Sequence, residues 1–425
     1  MLMNVQSFLN RHGLCKDIID IEKYAPVMLE HMKAGLEGRQ IDMPMIPTYL
    51  KGVSDVPKNK PVMVIDAGGT NFRCGLATFT DSGCSIEGLV KSKMPGTDGP
   101  VTWDEFISFV ADSLVPFAGA SDIIGFCFSY EAEMTPEIDG IVHTIDKEVV
   151  VTGCKGKKIG ESLCAALAMR GFPGKRVIIL NDTVAALLGG STGIDVNNYS
   201  DFIGMICGTG INTCAPAAIK EIKKISSDMP GTMLINFESG AFSAMPRADI
   251  DKAVDEASLA PGEKLMEKMC SGAYVGTVLK LALIRAVDEG YLSESVKSKL
   301  ENLDSFGGGE ADAIARGENE LGLFKNSVEL DFASAVARAV FERSARCMAA
   351  VILAIALMND SGKDSNKPVC VCAEGSLISR SRYFLPELER SLEEIANGKY
   401  ARFAEIVLGN ETTLPGSAVA ALLNT

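Results

Sequence analysis

The chain is short of basic charge, of histidine and of uninterrupted apolar sequence, and each shortage removes a class of function. Lys and Arg number 41 against 55 Asp and Glu, a formal net charge of −14. A nucleic-acid partner needs Lys and Arg gathered on one face. Here the lysines are dispersed, apart from Lys155, Lys157 and Lys158 and from Lys220, Lys223 and Lys224, which read as solvated stretches. The three histidines, His12, His31 and His143, are scattered and give neither a zinc pattern nor a partner for a nucleophile. The longest apolar run, Met348 to Met358, is too short to cross a bilayer and reads as the buried end of a core helix, so no membrane partner is expected. The 12 cysteines follow no framework spacing; Cys127, Cys207, Cys370 and Cys372 lie inside apolar runs, the last two alternating with valine as on a strand. With no basic, apolar, small-residue leader, a reduced cytoplasmic setting is the expectation. Also missing are the G-x-x-x-x-G-K-[ST] loop and the third glycine of a dinucleotide fingerprint. Any phosphate grip has to come from other backbone.

Two segments offer it. Val64-Ile65-Asp66-Ala67-Gly68-Gly69-Thr70-Asn71-Phe72-Arg73 and Met205-Ile206-Cys207-Gly208-Thr209-Gly210-Ile211-Asn212-Thr213-Cys214 share one pattern, an apolar strand that enters a Gly/Thr/Asn turn and leaves as a second strand. Such a turn crowds backbone amides into a tight bend with few side chains in the way, which suits a phosphate. Two related cradles in one chain suggest a duplicated fold gripping one nucleotide from both sides, and so an enzyme handling ATP.

At 425 residues the chain exceeds what one core accommodates, so two domains with a cleft between them are expected. Strands alternate with helices, as in a layered α/β fold. The pattern predicts helix at 16–37, 103–118 and 158–170, a hairpin at 61–79, and strands at 85–94, 123–129 and 176–180. A helix starts at Thr183, and Gly189-Gly190 marks the main boundary near residue 190. Beyond it come helices at 263–289, 293–302 and 332–358, a flexible loop at 305–309, a strand at 403–408 and a short helix capped by Ser417.

Asp66 ends an apolar strand just before its turn, where a carboxylate suits the water shell of a Mg²⁺ carried by ATP, and Arg73 on the return strand suits a phosphate. Taken alone, Asp66 reads as a turn residue bonding its own backbone; the second hairpin reverses that choice. Asn181-Asp182-Thr183 ends a strand and opens a helix, so each of the three is a good helix cap. The carboxyl end of a parallel strand is also where α/β sheets bind ligands, and phosphoryl transfer to an alcohol needs a proton acceptor. Asp182 is the candidate base.

These segments, with Pro44-Met45-Ile46-Pro47-Thr48, Gly125-Phe126-Cys127-Phe128-Ser129-Tyr130, Ile235-Asn236-Phe237-Glu238-Ser239-Gly240-Ala241-Phe242, Pro261 to Met269 with Ser271-Gly272, and Ala373-Glu374-Gly375-Ser376-Leu377, resemble in order the motifs of the hexokinase family within the actin-like, sugar-kinase ATPase superfamily. The resemblance spans nearly the whole chain. It implies an α/β, two-domain actin-like ATPase (ribonuclease H-like) fold with a sugar cleft between the domains. The parts would be an N-terminal helical segment (1–53) on the large domain, a small domain (54–190), a large domain (191–410) and a C-terminal helix (411–425) returning to the small domain. It further implies an ATP-dependent kinase in which Ser129, Lys147, Asn181, Asp182, Asn212, Glu238 and Glu267 hold a hexose. Asp182, helped by Lys147, would act on the 6-hydroxyl. The nucleotide and its Mg²⁺ would fall to Asp66 (through water), Gly68, Gly69, Thr70, Asn71, Arg73, Gly208, Thr209, Gly210, Gly375 and Ser376. A single catalytic half suggests a monomer or loose homodimer.

The chain departs from the family pattern at the sugar. Ser129-Tyr130-Glu131 stands for Ser-Phe-Pro, Asp146-Lys147-Glu148-Val149 for Thr-Lys-Gly-Phe, Lys264 for a frequent glutamine, and Ser239 for a tryptophan. The pocket then reads a different hydroxyl pattern or an amino-substituted sugar, or else Glu131 pairs with Lys264 at the rim and Asp146 caps a turn. At the nucleotide end Glu374-Gly375-Ser376 replaces Asp-Gly-Ser, and Pro415-Gly416-Ser417-Ala418 replaces a Gly/Lys-rich helix start. A sugar-sensing protein that keeps the fold without turnover, or a kinase for mannose, fructose or an amino sugar, is the alternative.

Overall fold

Two sheets carry the molecule, and the computed structural model describes them over residues 5–39, 42–146, 149–225 and 230–425. In chain order the main strands are β1 (Ile46–Pro47), β2 (Pro61–Gly68), β3 (Asn71–Thr80), β4 (Gly83–Lys93), β5 (Ile123–Phe128), β6 (Arg176–Leu180), β7 (Asp201–Cys207), β8 (Ile211–Ala218), β9 (Thr232–Asn236), β10 (Val369–Glu374) and β11 (Ala404–Leu408). The first sheet has the order β6-β5-β2-β3-β4 and the second β1-β9-β8-β7-β10-β11. Each contains one of the hairpins, β2-β3 and β7-β8, antiparallel and in register to the turn. Each hairpin's first strand also pairs in parallel with a later strand, β2 with β5 and β7 with β10. This common layout is the structural form of the repeated sequence pattern.

Alternation within β2 decides what each face meets. Met63, Ile65 and Ala67 enter the core of the first sheet with Phe106, Phe126 and Leu163, whereas Val62 and Val64 face a second core shared with the other sheet. That shared core is built on two crossing helices, Asp182–Gly190 and Thr413–Leu423. They approach closely because glycines lie at the crossing: a Cβ on Gly416 would fall 2.0 Å from the Ala185 carbonyl, and one on Gly189 would fall 2.1 Å from that of Thr412. The C-terminal helix begins at Thr413 with Pro415 in its first turn, ahead of the expected start. Ser417 is therefore a buried interior residue whose hydroxyl donates to the Thr413 carbonyl, not a cap facing a phosphate.

Helix Ser327–Met358 runs through the large core and buries almost every side of its second half, as the apolar run from Met348 predicts. The N-terminal helix Ile21–Leu36 packs along it. Arg343, fully buried on the long helix, makes paired bonds of 2.9 and 2.7 Å to Asp251 and a third to the Gly13 carbonyl, so no charge is left uncompensated there. The expected helix at 263–289 is two, Leu265–Cys270 and Gly272–Asp288, because Ser271 takes an extended conformation between them. The expected 305–309 loop already starts a helix, Gly308–Ala315. Among the described residues, no helix is long and apolar enough to cross a membrane.

Candidate active site

Asn181 leaves β6 in extended conformation and caps the next helix, its side chain accepting the Thr183 N–H at 2.8 Å. Asp182 is then the first residue of that helix, between the two sheets. Its Oδ1 accepts from the Thr183 N–H at 2.7 Å and from the Thr183 hydroxyl at 3.3 Å. Its half-buried carboxyl is pushed up to about 6, chiefly by burial, with the Glu238 and Asp66 carboxylates adding to it against the two bonds from Thr183. Such a group is ionised at neutral pH and still a usable proton acceptor.

A cleft of about 660 Å³ opens beside it, lined by Ser129, Asn181, Asn236, Glu238 and Lys264 together with Pro44, just ahead of β1, and Ile46 within it. Asn212, on β8, donates to Asn236 Oδ1 at 2.8 Å and to Glu238 Oε1 at 3.1 Å, and Asn236 donates to the same Glu238 oxygen at 3.0 Å. This amide–amide–carboxylate array fixes which polar atoms remain for a ligand. Glu238 (φ 54°) and Lys264 (φ 47°) both hold left-handed backbone conformations that cost non-glycine residues energy. The Lys264 ammonium lies 3.8 Å from Glu238 Oε2, so the expected rim pair with Glu131 is replaced by a pair with a carboxylate of the cleft. Glu267 turns to the second hairpin, where its Oε2 accepts the Ile211 N–H at 3.1 Å. Lys147 and Glu148 lie outside the described residues.

At the first hairpin Arg73 does not stand free for a phosphate. Its Nε and Nη2 both donate to Asp66 Oδ2, at 2.9 and 2.6 Å, and its Nη1 is 3.7 Å from Glu411. Burial pushes the Asp66 carboxyl up, Arg73 pulls it part of the way back, and Glu374 adds a like charge. A Cβ on Gly68 would sit 3.1 Å from Asp66 Oδ1 and 3.4 Å from the Ser129 hydroxyl, so these groups share one corner with the turn Gly69–Thr70. One carboxylate oxygen left beside a turn suits a hydrated Mg²⁺, which takes one or two carboxylates and keeps its waters. Among the described residues, no group of three His, Cys, Asp or Glu forms a protein cage for a metal.

At the second hairpin the tip is packed backbone on backbone. Gly272 and Ala273 donate to the Gly208 and Thr209 carbonyls at 2.8 and 3.0 Å, and Gly208 donates to Gly210 at 2.9 Å. Gly375, at φ 127°, lies so near that a Cβ would fall 2.3 Å from the Cys207 carbonyl, with exposed Ser376 next to it.

Residues 202–423 match the sequence model of the family described as Hexokinase, and residues 5–192 match a second model of the same description. The chain belongs to the hexokinase family. It is similar to Hexokinase-2 of Candida albicans, 29% identical over 412 residues that cover 86% of this chain and 81% of that protein. Against Hexokinase-2 of Solanum tuberosum it is 28% identical over 443 residues, 95% of this chain and 88% of that protein. Against Hexokinase-3 of Rattus norvegicus it is 28% identical over 381 residues, 84% of this chain but 41% of that protein, so it spans about four tenths of the longer mammalian relatives. In fold it matches the hexokinase from Schistosoma mansoni complexed with glucose, with a TM-score of 0.77 at 22% identity over 98% of both chains. The crystal structure of a hexokinase matches with a TM-score of 0.81 at 19% identity, covering 99% of this chain and 100% of that one. The two-domain sugar-kinase fold of the family is thus the fold of this chain. Sequence reasoning gave Asn236 no role and took Tyr130 only as a departure from the family pattern; both line the cleft. Both stand inside motifs it quoted, and what marks them is their bonds to Glu238 and to the first turn.

Proposed function

We propose that this protein transfers the γ-phosphoryl group of ATP to the 6-hydroxyl of a glucose-like hexose, with Asp182 as general base. The observation that carries this reading is Asp182 itself, a carboxylate at about 6, standing at a helix start between two glycine hairpins and beside a polar cleft. With Oδ1 held by Thr183, Oδ2 is the oxygen that takes the hydroxyl proton. The freed sugar oxygen bonds to the γ-phosphorus, the bond to the bridging oxygen breaks, and ADP leaves with that electron pair. Ser129, Asn181, Asn212, Glu238, Glu267 and Lys147 orient the sugar; a neutral sugar offers hydroxyls, and amide and carboxylate groups both bind and discriminate them. The turns at Gly68, Gly69, Thr70 and Asn71 and at Gly208, Thr209 and Gly210 receive the phosphates, with Gly375 and Ser376 beside the nucleoside. Asp66 holds the hydrated Mg²⁺, which supplies charge neutralisation at the phosphates. Arg73 tunes Asp66 rather than binding phosphate. Closure of residues 54–190 on 191–410 excludes water, the competing acceptor. The glucose carried by the Schistosoma mansoni neighbour supports the sugar class. Pairing of Lys264 with Glu238 leaves the pocket without an unbalanced ammonium, which favours a neutral hexose over an acidic one.

The test is coupled ADP release with Mg-ATP against glucose, mannose, fructose, glucosamine and N-acetylglucosamine. Sugar-dependent turnover is expected, falling by about 10³ or more in Asp182→Ala. Sugar binding without turnover in the wild type would reassign the protein to a sensing role.

A further inference from the structure

The turn of the first hairpin has two residues, Gly69 and Thr70, and the carbonyl of each is held from outside. The Tyr130 hydroxyl donates to the Gly69 carbonyl at 2.6 Å, and the Met94 N–H donates to the Thr70 carbonyl at 2.9 Å. In a trans peptide the N–H points opposite to the C=O, and the described chain has no cis bond. Fixing the Gly69 carbonyl therefore fixes the Thr70 N–H on the side away from Tyr130, while the Asn71 N–H lies within the Gly68–Asn71 pair that closes the hairpin. The Thr70 N–H is an amide that a phosphate meets at such a bend. Gly69 at φ 57° is free of the side-chain restraint that would otherwise stiffen the turn, so the outside bonds do that work.

Tyr130 is also one residue from Ser129, whose N–H donates to the Ala67 carbonyl at 3.3 Å. The Tyr130 ring is set by an edge contact with Phe128, centroids 5.2 Å apart. Both Ser129 and Tyr130 line the cleft, so one short segment touches the sugar side and braces the phosphate turn. Phenylalanine here would keep the ring contact and lose the brace.

We infer that Tyr130 is a positioning residue whose hydroxyl couples occupancy of the sugar cleft to the orientation of the Thr70 amide, which receives a phosphate of the nucleotide. This rests on the hexose-kinase reading above. The test compares wild type with Tyr130→Phe. Loss of one hydrogen bond is expected to lower kcat and raise the KM for ATP, by about two- to tenfold in kcat/KM for ATP. The Kd for hexose without nucleotide stays within about twofold, because the contact is made to the turn and not to the sugar. Amide exchange gives the readout apart from activity. Hexose slows exchange at Thr70 in the wild type, and this response is lost in Tyr130→Phe. A folded Tyr130→Phe protein with wild-type kinetics and an intact hexose effect on that amide overturns the inference. Should the variant not fold, a wild-type Thr70 amide that ignores hexose overturns it instead. A wild type that binds hexose but releases no ADP overturns the kinase reading, and the exchange measurement still decides the role of Tyr130.

Discussion

The two hairpins share antiparallel pairing, a parallel neighbour and a glycine turn, of two residues in the first and three in the second, yet they are held in different ways. The first is held by side chains: the Asp66–Arg73 ion pair spans its strands and Tyr130 braces its tip. The second has no charged residue at its tip and is held by close backbone approach to Gly272 and Gly375, with Glu267 bonding the return strand from outside. One fold element can thus be fixed by charge or by shape, and the two solutions fail differently. Charge responds to pH and to isosteric amide substitution; shape responds to a methyl group.

Gly375→Ala is expected to be the most damaging change at either hairpin. Its Cβ would lie 2.3 Å from the Cys207 carbonyl and 2.7 Å from the Gly208 nitrogen, at a φ of 127°. Overpacking and backbone strain together cost about 3 kcal/mol, measured by chemical denaturation, with weaker binding of ATP than of hexose. A loss below about 1 kcal/mol would break the comparison, because it would mean that the tip yields. Asp66→Asn comes next: an activity loss of about ten- to a hundredfold, from a weaker hold on the Mg²⁺ proposed for this corner, is expected with a smaller effect on unfolding.

The pH profile sharpens the same contrast. With Asp182 as the proposed base, which must be ionised to act, kcat/KM is expected to be flat above about pH 6, the value to which burial and then Glu238 and Asp66 push it, and to fall as pH drops through it. Asp66→Asn removes a like charge and should move this acid limb to lower pH. Stability runs in the opposite sense. A carboxyl raised from 3.8 stabilises the fold fully below pH 3.8 and loses that contribution as pH rises through about 6. Asp182→Asn should therefore be inactive, yet melt at a higher temperature than wild type at pH 8, with the difference closing below pH 4. A melting temperature below that of wild type at pH 8 would show that the charge is compensated. The smallest effect is expected for Lys264→Gln. Its side chain is 51% exposed and its pair with Glu238 spans 3.8 Å, so stability should change by less than about 0.5 kcal/mol while the KM for hexose shifts a few-fold.

Much of this was legible in the sequence because it is local. An apolar strand running into Gly68-Gly69 or Gly208-Thr209-Gly210 needs no tertiary partner to be read as a hairpin, and Asn181-Asp182-Thr183 announces both a strand end and a helix start. What escaped depends on contacts distant in sequence. Ser271 splits a continuous helical pattern because the second hairpin's carbonyls take the amides of Gly272 and Ala273. Arg73 has a chemically reasonable phosphate role in sequence, and only the register of β2 against β3, which pairs Asp66 with Arg73, shows its nearest acceptor. Lys264 and Glu131 look like partners by charge alone, but Lys264 belongs to the left-handed corner that brings it to Glu238. Asn236 reads as one letter of a motif until its bonds to Asn212 and Glu238 are seen.

The glycine crossing between helices Asp182–Gly190 and Thr413–Leu423 bears on how the molecule is made. During synthesis the helix of Asp182 leaves the ribosome long before its partner, because residues 191–412 lie between them. Until residues 413–423 arrive, Val184, Leu187 and Leu188 and the Val62–Val64 face of the first sheet lack part of their cover. That interval is when a nascent chain is most open to chaperones and to misassociation. Translation pausing or truncation ahead of Thr413 should accordingly harm yield far more than its distance in sequence from Asp182 suggests.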